Sequence, residues 1–232
     1  MKILVFSDVH GSLNSLIALE QTDDFATADK IIFLGDVAFG CSRPNECIEL
    51  INKWNCECVL GNNDFYITDH VSIADLLRFD ETKVEQWKWM YKNILDKNKE
   101  ILRKWDKSFE LVVDGKKFYF THYVWENKNN DISVVDEPTE INFSVRKQMF
   151  DGIEADYYIF GHEHKSTYFT NGNKHYYCVG SLGLKNPGPY IIIDIADGQV
   201  KIDEKFVQFD IKQEIELMDK SGYPYAKGKI NN

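Results

Sequence analysis

Five short apolar runs in this chain each break off into a residue able to bind a metal ion. Residues 3–6 lead into Ser7-Asp8-Val9-His10-Gly11, residues 31–34 into Gly35-Asp36, and residues 56–60 into Gly61-Asn62-Asn63-Asp64. Residues 118–120 lead into Thr121-His122, and residues 157–160 into Gly161-His162-Glu163-His164. The runs are rich in β-branched and aromatic residues and end at turn-forming ones, as buried strands do. Further strands are expected over 109–113, 175–179, 190–195 and 200–209. Asp114-Gly115 and Asn171-Gly172 are read as hairpin turns.

Helical spacing separates the early runs. One helix is expected to begin at Leu13. A second is expected over 45–54, where Cys47, Ile48, Leu50 and Ile51 share a face and Pro44 stands near the start. The longest pattern covers 82–105, with a break expected over 96–99. Shorter helices are expected over 141–150 and 210–220, the latter ended by Ser221-Gly222-Tyr223-Pro224. The first third therefore reads β-α-β-α-β, which favours parallel strands. The later part reads as richer in antiparallel strands. Residues 65–108 read as a helical insertion, residues 126–137 as a polar loop, and the tail after Pro224 as loose.

Where parallel strands end side by side, their carboxyl ends line one crevice. Asp8 and His10 are two residues apart, so both can point the same way off a strand end and share an ion. His162 and His164 have the same spacing. Asp, Asn and His together suit iron, manganese, zinc or nickel better than calcium. Each motif alone has an ordinary explanation as a turn, a cap or a core histidine. Five in a row, each at a strand end, point to a metal site.

The chain has 232 residues and a formal net charge of -10. That length suits one domain. An acidic surface argues against broad nucleic-acid binding, and a phosphate-processing site would need positive charge of its own. The five cysteines are an odd number and form no CxxC pair. Reduced thiols in a cytoplasmic protein are the expectation, with Cys56 and Cys58 as soft metal ligands the lesser alternative. No run is long enough to span a membrane.

The five motifs resemble the calcineurin-like metallophosphoesterase superfamily, whose pattern is D-x-H, G-D, G-N-H-[DE], a lone H, then G-H-x-H. The stretch from Leu34 to Glu46 is similar to a bacterial branch labelled phosphodiesterase or diadenosine-tetraphosphatase-like. So are Val179-Gly180-Ser181-Leu182-Gly183 and the closing 209–224 segment. The resemblance implies an α/β (α+β) four-layer sandwich of two mixed sheets flanked by helices. It implies two divalent or mixed-valence metal ions (manganese, iron, zinc or nickel). Asp8, His10 and His164 would hold the first, Asn62, His122 and His162 the second, and Asp36 would bridge both. The catalytic set would be Asp36, Asn62, Asn63 and His10. The implied reaction is attack of a metal-bound hydroxide on a small phosphate ester, diester, nucleotide or anhydride.

One position departs from the pattern. Asn63 stands where the family carries a His thought to protonate the leaving oxygen, and an amide cannot deliver that proton. Asp64 is then expected to be structural. Substrates with good leaving groups need the acid least. Arg43 is read either as a phosphate contact or as a surface ion pair. Tyr123, in place of a usual Gly, is expected to narrow the site. Tyr66, His70 and Trp125 are candidates for its entrance, and His175 is given no role. Competing readings are a catalytically weak scaffold for a protein partner, a protein phosphatase or a nuclease. A homo-oligomer is left open.

Overall fold

The computed structural model describes residues 1–68, 81–128, 131–135 and 137–224. The chain opens with β1 (Lys2–Phe6), α1 (Leu13–Glu20), α2 (Asp23–Thr27), β2 (Lys30–Phe33), α3 (Pro44–Lys53) and β3 (Glu57–Cys58). Three helices follow: α4 (Asn62–Thr68), α5 (Glu81–Asn93) and α6 (Asp96–Leu102). Then come β4 (Ser108–Val113), β5 (Lys116–Thr121), β6 (Trp125–Lys128), β7 (Asp131–Val134), α7 (Phe143–Met149) and β8 (Tyr157–Phe160). The described chain closes with β9 (Thr167–Thr170), β10 (His175–Cys178), β11 (Gly188–Ala196), β12 (Gln199–Val207) and α8 (Ile211–Ser221).

Two five-stranded sheets result, ordered β12-β11-β1-β2-β3 and β4-β5-β8-β10-β9. Both are mixed. In the first, β1, β2 and β3 run parallel while β11 and β12 are antiparallel additions. In the second, β5, β8 and β10 run parallel, flanked by antiparallel β4 and β9. The strand period of two builds the layers. Ile3 and Val5 of β1 face Tyr157 and Ile159 of β8 across the space between the sheets. Leu4 and Phe6 turn outward onto the core beneath α1 and α3, and Tyr158 and Phe160 onto the core beneath α7. Each fully buried Ile, Leu or Phe contributes about 1.5–3 kcal/mol. The layering is the expected helix–sheet–sheet–helix sandwich.

Several local expectations change. The segment read as a polar loop holds the two-stranded hairpin β6–β7, with Trp125 opposite Val134 and Asn127 opposite Ile132. The unbroken polar run at residues 126–131 is what reads as a loop. Strand β9 is also new, a short half-exposed edge strand. The run at 56–60 keeps only Glu57–Cys58 as strand, plus an isolated bridge from Val59 to Asp106. Asn62, Asn63 and Asp64 form the first turn of α4, directly after Gly61. The long helical pattern breaks at residues 94–95, before the expected point. Asn45 of α3 holds that break, accepting from the Leu95 N–H and donating to the Asn93 carbonyl. Of the expected insertion, residues 69–80 lie outside the described residues. Parallel pairing in the second sheet follows the two mixed sheets that the resemblance implies rather than the antiparallel reading of the later strands. It matters most, because it turns the carboxyl ends of β5 and β8 toward those of β1 and β2.

Candidate metal centre

The loops after β1 and β2 are laced together first. The N–H groups of Asp8, His10 and Gly11 donate to the carbonyls of Gly35, Asp36 and Val37 at 3.0, 2.9 and 2.7 Å. The second sheet joins through His122, whose Nδ1 lies 2.7 Å from the Leu34 carbonyl, and through the His162 N–H, which donates to Asp8 Oδ2 at 3.0 Å. The fit is close enough that Cβ atoms are excluded. One added to Gly61 would lie 2.1 Å from Asp36 Oδ1, and one on Gly161 would lie 2.0 Å from Ser7 Oγ.

Backbone strain concentrates here. Asp8, His10, Asp36, His162 and His164 have φ values of 54°, 53°, 60°, 72° and 55°. The left-handed region is unfavourable for side chains with a Cβ, and such residues cluster where a function fixes them.

All seven sequence-predicted metal residues meet in this crevice. His10 Nε2 lies 2.9 Å from His164 Nε2, and Asp8 Oδ1 lies 3.2 Å from His164 Nε2 and 3.5 Å from His10 Nε2. With Asp36 these residues offer donor atoms all within 4.8 Å of one another. A second group adjoins it. Asn62 Oδ1 lies 3.0 Å from His122 Nε2 and 2.9 Å from His162 Nδ1. Asp36 Oδ2 stands between the groups, 3.9 Å from His10 Nε2 and 3.5 Å from His122 Nε2.

The donor chemistry fits cations. His10 Nδ1 sits 2.5 Å from the Phe39 carbonyl and His122 Nδ1 against the Leu34 carbonyl, so in each neutral ring Nδ1 carries the proton. Their Nε2 lone pairs then face other acceptors. Asp8 Oδ1 is buried and has no hydrogen-bond partner. Asp8 and Asp36 are 0% and 1% exposed, with no lysine or arginine paired to either among the described residues. Buried carboxylates without a counter-cation are costly, and a bound metal removes that cost.

The titration behaviour agrees in direction. Burial opposes ionisation of Asp8, but the nearby rings of His10 and His164 hold its carboxyl well below the usual range. His122 is buried too, which favours the neutral ring, yet the charges of Asp36 and Asp8 hold it up to about 9. The site's field therefore favours positive charge. Burial and the neighbouring His122 push His162 down to about 4, which keeps it a neutral donor.

Asn63 takes a different place from the one its motif suggests. Its backbone N–H donates to Asp36 Oδ1 at 2.9 Å and its side-chain amide donates to Asp36 Oδ2. It orients Asp36 from below. Asp64 accepts from the N–H groups of Asp36, Val37, Ala38 and Gly61, at 2.8 to 3.2 Å for the shortest contact to each. It is a structural staple for the Gly35-Asp36 loop.

Arg43 is not a free phosphate contact. It pairs with Glu214, which is 1% exposed, so the ion pair is buried rather than superficial. Tyr123 lies beneath the site, its ring 4.5 Å from that of His162 and its hydroxyl donating to Glu163 at 2.8 Å. Tyr66 is core, packed edge-on to Trp87. Trp125 is half-buried against Phe65, with the Lys107 ammonium over both rings. His70 lies outside the described residues, and His175 stacks on Tyr157 away from the centre.

Sequence reasoning missed three supports. Glu163, between the two histidines, forms a two-pronged ion pair with Arg146 of α7, which is 0% exposed. The Glu137 carboxylate lies 3.7 Å from His162 Nε2. Tyr223 reaches the loop beside His10. Only Glu163 carried a signal, its place inside the paired-histidine motif.

Comparisons with known proteins bear on the family and the fold. Residues 1–198 match the calcineurin-like phosphoesterase superfamily domain. The uncharacterized protein MJ0912 of Methanocaldococcus jannaschii is 28% identical, across 98% of this chain and 96% of that protein. The metallophosphoesterase of Sphaerobacter thermophilus shares the fold at a TM-score of 0.74 and 20% identity, covering 97% of this chain and 95% of that one. The hypothetical protein PH1004 of Pyrococcus horikoshii does so at 0.81 and 16% identity, covering 99% and 96%. Among the described residues, no helix is long and apolar enough to cross a membrane. With the family domain matched over most of its length, this chain belongs to the calcineurin-like phosphoesterase superfamily and is a metal-dependent phosphoesterase.

Proposed function

We propose that the chain hydrolyses small phosphodiesters, nucleotides or phosphoanhydrides at a two-metal centre. Asp8, His10 and His164 would hold one cation, Asn62, His122 and His162 the other, and Asp36 would bridge them. The observation that carries this reading is the meeting of lone pairs. His10 Nε2 faces His164 Nε2, and His122 Nε2 faces Asn62 Oδ1, with the buried Asp8 Oδ1 lacking any partner. Two bound cations supply charge neutralisation for phosphate oxygens and activation of water.

The chain's own residues set the geometry and limit the substrate. Asp36 is held by both hydrogen bonds from Asn63, which fixes the carboxylate shared by the two groups. His10 and His122 are locked in one tautomer by backbone carbonyls, so their free nitrogens point inward. With Asn63 spent on Asp36, no side chain at that position delivers a proton to a leaving oxygen. Good leaving groups, such as aryl alcohols or phosphates, are therefore favoured over alkyl alcohols. The five cysteines are free thiols, which suits a reducing compartment such as the cytoplasm.

The test is turnover of bis(p-nitrophenyl) phosphate with added Mn2+, compared between the native chain and Asp36→Asn. The expected result is activity that needs metal and is lost in the variant. No turnover with any of Mn2+, Fe2+, Zn2+ or Ni2+ supports a scaffold for a protein partner instead. Preference for a phosphopeptide over a dinucleoside polyphosphate supports a protein phosphatase.

A further inference from the structure

His10 is aimed by a single backbone contact, the one from its Nδ1 to the Phe39 carbonyl at 2.5 Å. That carbonyl belongs to the peptide group between Phe39 and Gly40. The N–H of the same group donates to the Tyr223 hydroxyl at 2.8 Å. One peptide plane therefore has a metal-site histidine at its oxygen and a residue from the far end of the chain at its nitrogen. We infer that Tyr223 is a positioning residue for His10, acting through the Phe39–Gly40 peptide. The inference deepens the proposed function and rests on it only where metal affinity is read.

This peptide needs an external hold. Phe39 has φ 71° and Gly40 φ 121°. A bulky residue in the left-handed region is strained and persists only where its surroundings fix it. There is no slack beside it. A Cβ on Gly40 would lie 2.7 Å from His10 Cβ. Rotation of the peptide would withdraw the carbonyl from His10 Nδ1 and release the ring. A donor hydrogen bond at the N–H also polarises the carbonyl and strengthens it as an acceptor.

Tyr223 is built to supply that hold. It is 3% exposed, and its ring meets Trp89 of α5 edge-on at 5.1 Å. Gly222, at φ 70°, ends α8 in the left-handed conformation, and the Tyr223 N–H returns to the Met218 carbonyl at 3.2 Å. Helix α8 is itself tied to both flanks of the loop. Glu214 accepts from Arg43, from the Asn14 N–H at 3.4 Å and from Ser12 Oγ at 3.5 Å. Both α8 and Tyr223 lie beyond residues 1–198, the part matched to the family domain. The C-terminal segment thus acts on the metal site without contributing a ligand.

The test compares Tyr223→Phe with Tyr190→Phe. Both keep the ring and remove one phenol hydroxyl, but the Tyr190 hydroxyl donates to Asp24, on an element that contributes no metal residue. In metal-free protein, hydrogen exchange at the Gly40 amide and the 15N shifts of the His10 ring are read. Calorimetric titration with Mn2+ gives affinity. The expected result for Tyr223→Phe is faster Gly40 exchange, a shifted His10 ring signal and Mn2+ affinity weaker by about tenfold. Tyr190→Phe should change none of these. Unchanged Mn2+ affinity in Tyr223→Phe, or an equal change in both variants, overturns the inference. If the native protein binds no Mn2+, the proposed function fails separately. The His10 ring signal then decides, a shift confined to Tyr223→Phe supporting the inference and an unshifted ring overturning it.

Discussion

The His162 N–H donates to Asp8 Oδ2 at 3.0 Å, joining the end of β8 in one sheet to the end of β1 in the other. The same carboxylate keeps its other oxygen, Oδ1, free of hydrogen bonds and pointed at His10 and His164. Asp8 thus serves the fold with one oxygen and offers the other to the proposed metal centre. Asp8→Asn removes the negative charge from the second role. Partners that only support ligands are worth about 10–100-fold in metal affinity, so loss of the charge on a direct ligand is expected to cost about a hundredfold. Mn2+ titration checks this, and native affinity in the variant would remove Asp8 from the site.

Asp64 gives a stability prediction. Its carboxylate accepts from four backbone N–H groups. In Asp64→Asn one of those acceptors becomes an amide donor facing N–H groups. A lost charged hydrogen bond with an unsatisfied buried donor costs about 2–3 kcal/mol. For a chain of this size that lowers the melting temperature by roughly 4–12 °C. Thermal unfolding monitored by circular dichroism is the check, and an unchanged midpoint would contradict the staple.

The Arg146–Glu163 pair predicts non-additivity. Both side chains are buried, at 0% and 2% exposed. Glu163→Gln leaves the Arg146 charge uncompensated, at a cost of about 3–5 kcal/mol. Replacing both, with Arg146→Met added, is expected to recover much of that loss. Urea unfolding of the two singles and the double gives the coupling energy. Additive losses would mean that the pair is not acting as a unit.

Gly61 predicts the consequence of closeness. A Cβ there would lie 2.1 Å from Asp36 Oδ1 and 2.2 Å from the Asp36 nitrogen. Gly61→Ala must displace the proposed bridging carboxylate. It is expected to reduce both metal stoichiometry and turnover far more than it lowers the melting temperature. Elemental analysis after desalting measures the first directly.

The residues that meet in the crevice were legible because each follows an apolar run, and the end of such a run is a place that pattern can mark. The two-sheet sandwich was legible through the resemblance that those motifs carry. What stayed hidden depends on contacts between distant residues. Nothing local in Ser221-Gly222-Tyr223-Pro224 says that the phenol reaches Gly40, and nothing in α7 says that Arg146 finds Glu163. The helix that starts at Asn62 was not foreseen, because Gly, Asn and Asp favour turns and helix starts alike. Hairpin β6–β7 was missed because residues 126–131 are an unbroken polar run, which reads as a loop. Asn63 was placed by analogy with a histidine, while its short amide reaches only as far as Asp36.

The central claim is that seven side chains, from the ends of four strands and the start of α4, hold two cations. Crystals grown with Mn2+ and measured at the manganese absorption edge test it most directly. The account predicts two anomalous peaks, one against Asp8, His10 and His164, the other against Asn62, His122 and His162, with Asp36 touching both. A single peak, or peaks bound elsewhere on the chain, would contradict it.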